Sequence, residues 1–173
     1  MVDGMKLARL MRSVVLVGIV TIAAALVLVV AQSTRAQAQA GDDGGPVVFL
    51  DPLDNSPLDV PLPEGDDLTD AVAQFHATGE NLYYADADAV AAGKKTYDST
   101  CASCHLADAT GRIGPNLLSE PWAHPRNGTD VGKFEMLWAG GAGAMQSFAN
   151  RLSQDEMLQV LAYIHSLAEA AGE

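Results

Sequence analysis

The chain has 173 residues, with 10 Lys or Arg against 22 Asp or Glu and a formal charge of −12. That length supports one domain, or one domain with an extension, and so acidic a polymer repels a nucleic-acid backbone. Two cysteines cannot staple a disulfide scaffold, so the pair needs a role of its own.

Residues 1–40 read as an address. Lys6, Arg9 and Arg12 precede an apolar run from Val14 to Ala31, and the overlapping small-residue sites Ala36-Gln37-Ala38 and Ala38-Gln39-Ala40 follow it. A basic start, an apolar centre and an Ala-x-Ala end describe a secretory signal peptide cleaved near Ala38 or Ala40. The competing reading is a retained membrane anchor, because about 18 apolar residues approach a spanning length. Cleavage after Ala40 would remove four basic residues and one acidic residue. Six basic against 21 acidic residues would remain, a net −15 in an exported protein.

Residues 41–88 contain no Lys or Arg and are rich in Asp, Pro and Gly. Val47 to Leu50 has the composition of a short strand, closed by the turn residues Asp54 to Pro57 before Leu58-Asp59-Val60. Asp67 is placed to cap a helix carrying Leu68, Val72 and Phe75. The segment reads as an acidic extension that folds against a second part of the chain rather than as a domain.

Residues 89–173 form that second part. A helix is expected over Ala89 to Cys101 with Val90, Gly93 and Tyr97 on one face, followed by a loop from Thr110 to Arg126 punctuated by Gly and Pro. Thr129 or Asp130 caps a further helix through Val131, Phe134, Leu137 and Trp138, which the run Gly140-Gly141-Ala142-Gly143 stops. Ser153-Gln154-Asp155-Glu156 is a capping box, and Met157, Val160, Leu161, Ile164 and Leu167 continue it at helical spacing. The fold class is all-α, built around whatever the cysteines hold.

Both cysteines lie in Cys101-Ala102-Ser103-Cys104-His105. Positions three and four apart share a helix face, so Cys101, Cys104 and His105 converge on one object. For C-x-x-C-H that object is haem c, bonded through two thiols and ligated by the adjacent imidazole. A zinc site would need about four ligands, and no second cysteine pair supplies them. A thioredoxin-like pair would need a βαβ frame that this region lacks.

Iron then needs a sixth ligand or an open position. Among Met136, Met145 and Met157, the first and last sit on helical patterns where a core methionine is the ordinary role. Met145 lies in the glycine-rich loop Gly140 to Gln146, which can pass close over a flat ring, and it is favoured over the rivals His76, His124 and His165. A ligating histidine donates its other N–H to a carbonyl, and Gly114-Pro115-Asn116-Leu117 is placed to provide it. Arg112, Trp122 and Arg126 are candidate donors to the haem propionates. Calcium beside the propionates is conceivable with so many carboxylates, although no D-x-D-x-D loop is present.

These features together resemble a class I cytochrome c. The segments Val47-Val48-Phe49, Thr78-Gly79-Glu80-Asn81-Leu82-Tyr83, Gly114-Pro115-Asn116-Leu117 and Thr129-Asp130-Val131-Gly132-Lys133-Phe134 are similar to cytochrome c-L, as are Trp122 followed by Pro125 and Asp155-Glu156-Met157-Leu158-Gln159. The resemblance implies His105 and Met145 as axial ligands and the Pro115 carbonyl as acceptor of the His105 N–H. It also implies a first and last helix crossing near Gly93 and Tyr163. It further implies a periplasmic acceptor of electrons from a pyrroloquinoline-quinone (PQQ) methanol dehydrogenase, passing them to a downstream c-type cytochrome. The chain departs from some members at Phe148, where they carry a histidine.

A His/Met iron leaves no position for substrate, and no acid–base constellation stands near the motif, so the residues point to a carrier rather than an enzyme. The alternatives are service to another quinoprotein alcohol dehydrogenase, a membrane-anchored respiratory subunit, or a haem enzyme or sensor with open iron.

Overall fold

The computed structural model describes residues 45–172; the leader-like segment and its cleavage sites lie outside the described residues. Five helices follow in order: α1 (Asp70–Thr78), α2 (Ala87–Thr100), the single turn α3 (Ala102–His105), α4 (Asp130–Ala139) and α5 (Gln154–Ala171). Among the described residues there is no strand, and no helix is long and apolar enough to cross a membrane.

The frame is the crossing of α2 on α5, the most extensive contact between elements. Asp86 caps α2 by accepting the N–H groups of Asp88 and Ala89. Ser153 and Glu156 cap α5 with a reciprocal box. The helices touch backbone to backbone at Gly93, where a Cβ would sit 1.9 Å from the Gln159 carbonyl oxygen. Four residues on, Tyr97 meets Tyr163 edge to face, with ring centroids 5.3 Å apart. Gly93 thus sets the depth of the crossing and the tyrosines fill it beyond.

The acidic stretch packs on the same core from Gly45 onward. Phe49 is buried against Phe75 of α1 and Phe134 of α4, at centroid separations of 6.2 and 5.5 Å. Val47 donates its N–H to the His76 carbonyl, and the Trp138 indole donates to the Asp59 carbonyl. Gln154 stands between extension and helix: its amide nitrogen donates to the Pro61 carbonyl and its oxygen accepts from His76. Asn81 donates to the Leu158 carbonyl inside the core.

Two sequence expectations for this stretch change. Val47 to Leu50 forms no strand; a single antiparallel bridge joins Leu50 to Pro57 around a turn with Asn55 in the left-handed region. Only residues 57–58 return beside it, and the chain then leaves toward Trp138, so no ladder can grow. The cap of α1 is Thr69 rather than Asp67, which closes a short 3-10 turn instead. Thr69 wins because its hydroxyl serves twice, accepting from the Val72 N–H and donating to Asp155 of α5. Leu68, expected on the buried face, is consequently exposed.

Glu135 joins the layers. Its side chain is fully buried and accepts from the Leu50 N–H at 2.7 Å, from Arg126 Nε at 2.8 Å and from Arg126 Nη2 at 2.5 Å. Removing one partner of a buried ion pair strands the other charge. Glu135→Ala is therefore expected to destabilise the protein by roughly 3 kcal/mol, the low end for such losses because Arg126 is partly solvated. Urea unfolding of the holoprotein checks this, and a loss under about 0.5 kcal/mol, the level of an ordinary surface change, would contradict the role given to the carboxylate.

Candidate functional site

α2 does not stop cleanly. Cys101 caps it, and the chain turns once more through α3, with the His105 N–H returning to the Cys101 carbonyl. Leu106, at φ 64°, breaks the turn, and its carbonyl is held by the Tyr97 hydroxyl at 2.8 Å. The following loop folds back under the motif: Gly111 N–H reaches the His105 carbonyl, and Gly114 N–H reaches that of Cys104.

This return brings Pro115 beneath the histidine. His105 Nδ1 lies 2.9 Å from the Pro115 carbonyl oxygen. A carbonyl only accepts, so Nδ1 carries the proton and Nε2 keeps its lone pair for a ligand. The imidazole is buried, and Gly114 leaves room for it; a Cβ there would stand 2.5 Å from the ring.

Cys101, Cys104 and His105 line one cavity of about 480 Å³, a size typical of cofactor pockets. Leu137, Leu161 and Ile164 line its apolar interior, and Ile113, largely exposed, stands at its mouth. Burial pushes the Cys101 thiol up to about 11, with the nearby Arg151 charge working in the opposite direction.

The opposite wall comes from α4 and its glycine loop. Gly140, at φ 87°, ends the helix, and the Gly141 N–H bonds the Met145 carbonyl to hold the loop in a tight return. Met145 and Met136 both line the cavity, and both sulfurs approach Gly141: a Cβ there would be 2.8 Å from Met136 Sδ and 3.8 Å from Met145 Sδ. Met136 therefore faces the cavity as well as the core. Its helical spacing disguised this, since the last turn of α4 is both core and wall.

The other sequence candidates separate by position. Trp122 lines the cavity, as does His124. Met157 is fully buried and is not among the lining residues. His76 is engaged with Gln154, and His165 stacks on Tyr84 at 4.0 Å beside Glu169. Arg112 donates to the Ser103 carbonyl outside the cavity. Arg126, expected to face the propionates, is not among the lining residues either; its guanidinium is turned to Glu135. The reason is electrostatic, because a fully buried carboxylate claims the cation in reach. Sequence reasoning gave Asn127, Lys133, Phe148 and Arg151, all in the lining, no role toward the cofactor, because the signals they carry in the sequence belong to helix starts and family likeness rather than to haem chemistry. The suggestion of calcium finds no support: no group of three or more His, Cys, Asp or Glu side chains able to hold a metal ion occurs among the described residues.

Two thiols and an imidazole with one free nitrogen, on a single apolar cavity, are the donors that a vinyl-bearing iron porphyrin requires, and they fit covalently bound haem c. The helical fold around them is that of a class I c-type cytochrome. The sequence model of the family described as "Cytochrome C oxidase, cbb3-type, subunit III" matches residues 88–164. Cytochrome c-L of Methylorubrum extorquens is 39% identical over 139 residues, covering 80% of this chain and 70% of that protein. The crystal structure of cytochrome cL from the marine methylotrophic bacterium Methylophaga aminisulfidivorans matches with a TM-score of 0.65 at 32% identity, covering 71% of this chain and 87% of that one. Cytochrome cL from Hyphomicrobium denitrificans matches at 0.64 and 34% identity, covering 69% and 73% of the two chains. The chain belongs to the cytochrome c-L family, and it is an electron carrier rather than an enzyme.

The glycine under the histidine gives a direct test of the site's construction. Gly114→Ala is expected to push the imidazole off the Pro115 carbonyl and to cost about 1–3 kcal/mol, the usual range for overpacking. Thermal unfolding of the holoprotein checks it, and an unchanged midpoint would show that the ring has slack the structure does not display.

Proposed function

We propose that this cytochrome is a periplasmic single-electron carrier, reduced by a PQQ-dependent methanol dehydrogenase and oxidised by a downstream c-type cytochrome. The observation that carries the reading is family membership reaching beyond the haem domain. The 139 residues aligned with cytochrome c-L exceed the whole stretch from Ala89 to Glu173, so the likeness includes the acidic extension. A generic haem domain would match only over the span of the broad family, residues 88–164.

Bound haem c supplies a one-electron iron couple; the chain's own residues hold and tune it. Cys101 and Cys104 anchor the group, His105 ligates through Nε2, and the Pro115 carbonyl fixes that ring. Met145 is the proposed sixth ligand, because it lies in a loop returned over the cavity by its own carbonyl, whereas Met136 is bound to the helical geometry of α4. A thioether in that position favours the reduced iron and closes it to exogenous ligands. The formal charge of −12 favours encounter with a basic patch on a partner and makes that encounter salt-dependent.

Two experiments test the reading. Stopped-flow reduction of the ferric protein by methanol dehydrogenase plus methanol is expected to be rapid at low ionic strength and to slow about tenfold or more at high salt. Slow reduction at every salt concentration would discard the dehydrogenase as donor while leaving the cytochrome intact. For the ligand, Met145→Ala is expected to abolish the near-infrared sulfur-to-iron band and to let the ferrous protein bind carbon monoxide. Met136→Ala is expected to keep the band. The reverse pattern would transfer the sixth position to Met136.

A further inference from the structure

We propose that Lys133 and Asn127, with Trp122 as the surface under the lysine, form the receiving site for a haem propionate. The inference rests on the haem reading and concerns which of this chain's residues meet the anionic edge of the group. A carboxylate entering an apolar cavity needs donors and preferably a cation, because an unpaired charge there is costly.

Lys133 and Arg151 are the two residues of the lining that carry a permanent positive charge. Arg151 belongs to the thiol side: it acts on the Cys101 sulfur and stacks on the Phe148 ring at 4.7 Å. The thiols bond the vinyl groups, and in haem the propionates leave from the edge opposite the vinyls. That leaves Lys133. Its Nζ lies 5.1 Å over the Trp122 ring, it is half-buried, and it makes no ion pair among the described residues. Arg126, seven residues before it along the chain, is already neutralised by Glu135.

Asn127 supplies an independent sign. Its Oδ1 is buried, lies in a residue lining the same cavity and has no hydrogen-bond partner. Buried amide atoms are seldom left unpaired. A half-turn of the amide exchanges oxygen for nitrogen, so that position can present an N–H donor to an anion. The ring beside it is fixed: a Cβ on Gly128 would stand 3.1 Å from Trp122 Nε1, which leaves Trp122 packed against bare backbone. Lysine, amide and indole thus share one wall, on which the lysine has no ion pair and the amide oxygen no hydrogen bond among the described residues.

The test uses the holoprotein, with intact mass and a haem-release assay first confirming covalent haem. Lys133→Met keeps the side-chain stem and removes the charge. Loss of a cation beside an ionised propionate favours ferric iron. The ferrous-to-ferric ratio at fixed applied potential is expected to fall between threefold and tenfold, up to about 59 mV at the tenfold limit for one electron. The propionate bending modes in the resonance Raman spectrum are expected to shift in Lys133→Met and in Asn127→Leu, and to stay in place in Lys133→Arg. Arg112→Met, outside the cavity, is expected to change neither reading. A wild-type potential and unshifted propionate modes in both Lys133→Met and Asn127→Leu would overturn the proposal. So would a larger effect from Arg151→Met than from Lys133→Met. Absence of covalent haem would overturn the haem reading itself, and mass alone distinguishes that failure.

Discussion

A single buried carboxylate holds the parts of this molecule together. Glu135 has no exposure, so its side-chain oxygens need donors from the protein, and they find them in two places distant along the chain: the Leu50 amide of the extension and the Arg126 guanidinium of the loop before α4. The residue after it, Met136, faces the cavity, and the residue after Arg126, Asn127, does too. The pair thus stands directly behind the cavity wall. Whatever sets its position also sets the depth at which α4 and the Trp122 to Asn127 segment meet the cofactor. The extension is a structural partner of the site through this bond, not an appendage beside it.

The same pair explains which parts of the site could be read from the sequence. Cys101, Cys104, His105 and Pro115 were legible because the chemistry is local: one helical turn presents three donors, and the acceptor for the histidine lies ten residues on. The capping box at Ser153 and the glycine at position 93 were legible for the same reason, since a cap or a close helix approach needs particular residue types in a short window. The Arg126 pairing was not legible, because its partner is nine residues away across a helix start, a spacing that belongs to no periodic pattern. Its cavity role as read from sequence assumed a free cation, and the buried carboxylate removes that freedom.

The failures in the extension have a related cause. Val47 to Leu50 has strand composition, but a strand is made by its neighbours, and here the hydrogen bonds run to an α1 carbonyl, from the Leu58 N–H and to a glutamate side chain. Asp67 and Thr69 are both good caps in isolation. Thr69 prevails because α5 offers it Asp155 as an acceptor, a contact 86 residues away in sequence. Lys133 and Asn127 were given no cofactor role since a lysine and an asparagine near a helix start are the commonest of surface residues. Only the fold shows that they line the same cavity as the cysteines.

The way each candidate ligand is held bears on electron transfer itself. His105 is oriented by a main-chain carbonyl and packed against a glycine, and the Met145 loop is closed by a main-chain bond from Gly141. For the imidazole the orientation is fixed directly by the backbone; for Met145 the backbone bond fixes where the side chain starts, and its thioether is positioned by rotamer and packing. A carrier passes between two charge states without exchanging ligands, so any rearrangement on reduction adds to the barrier in both directions. The constraint on His105, with α2 and α5 locked at Gly93 behind it, leaves that side of the cavity little to rearrange. The glycines at 93 and 114 each remove a side chain so that something rigid, a helix backbone or the imidazole, can come close, and Gly141 leaves room for the two methionine sulfurs. A side chain at position 114 would stand in the space of the imidazole, and one at position 93 would part α2 from α5, so both substitutions act on the histidine side of the cavity through rigid neighbours.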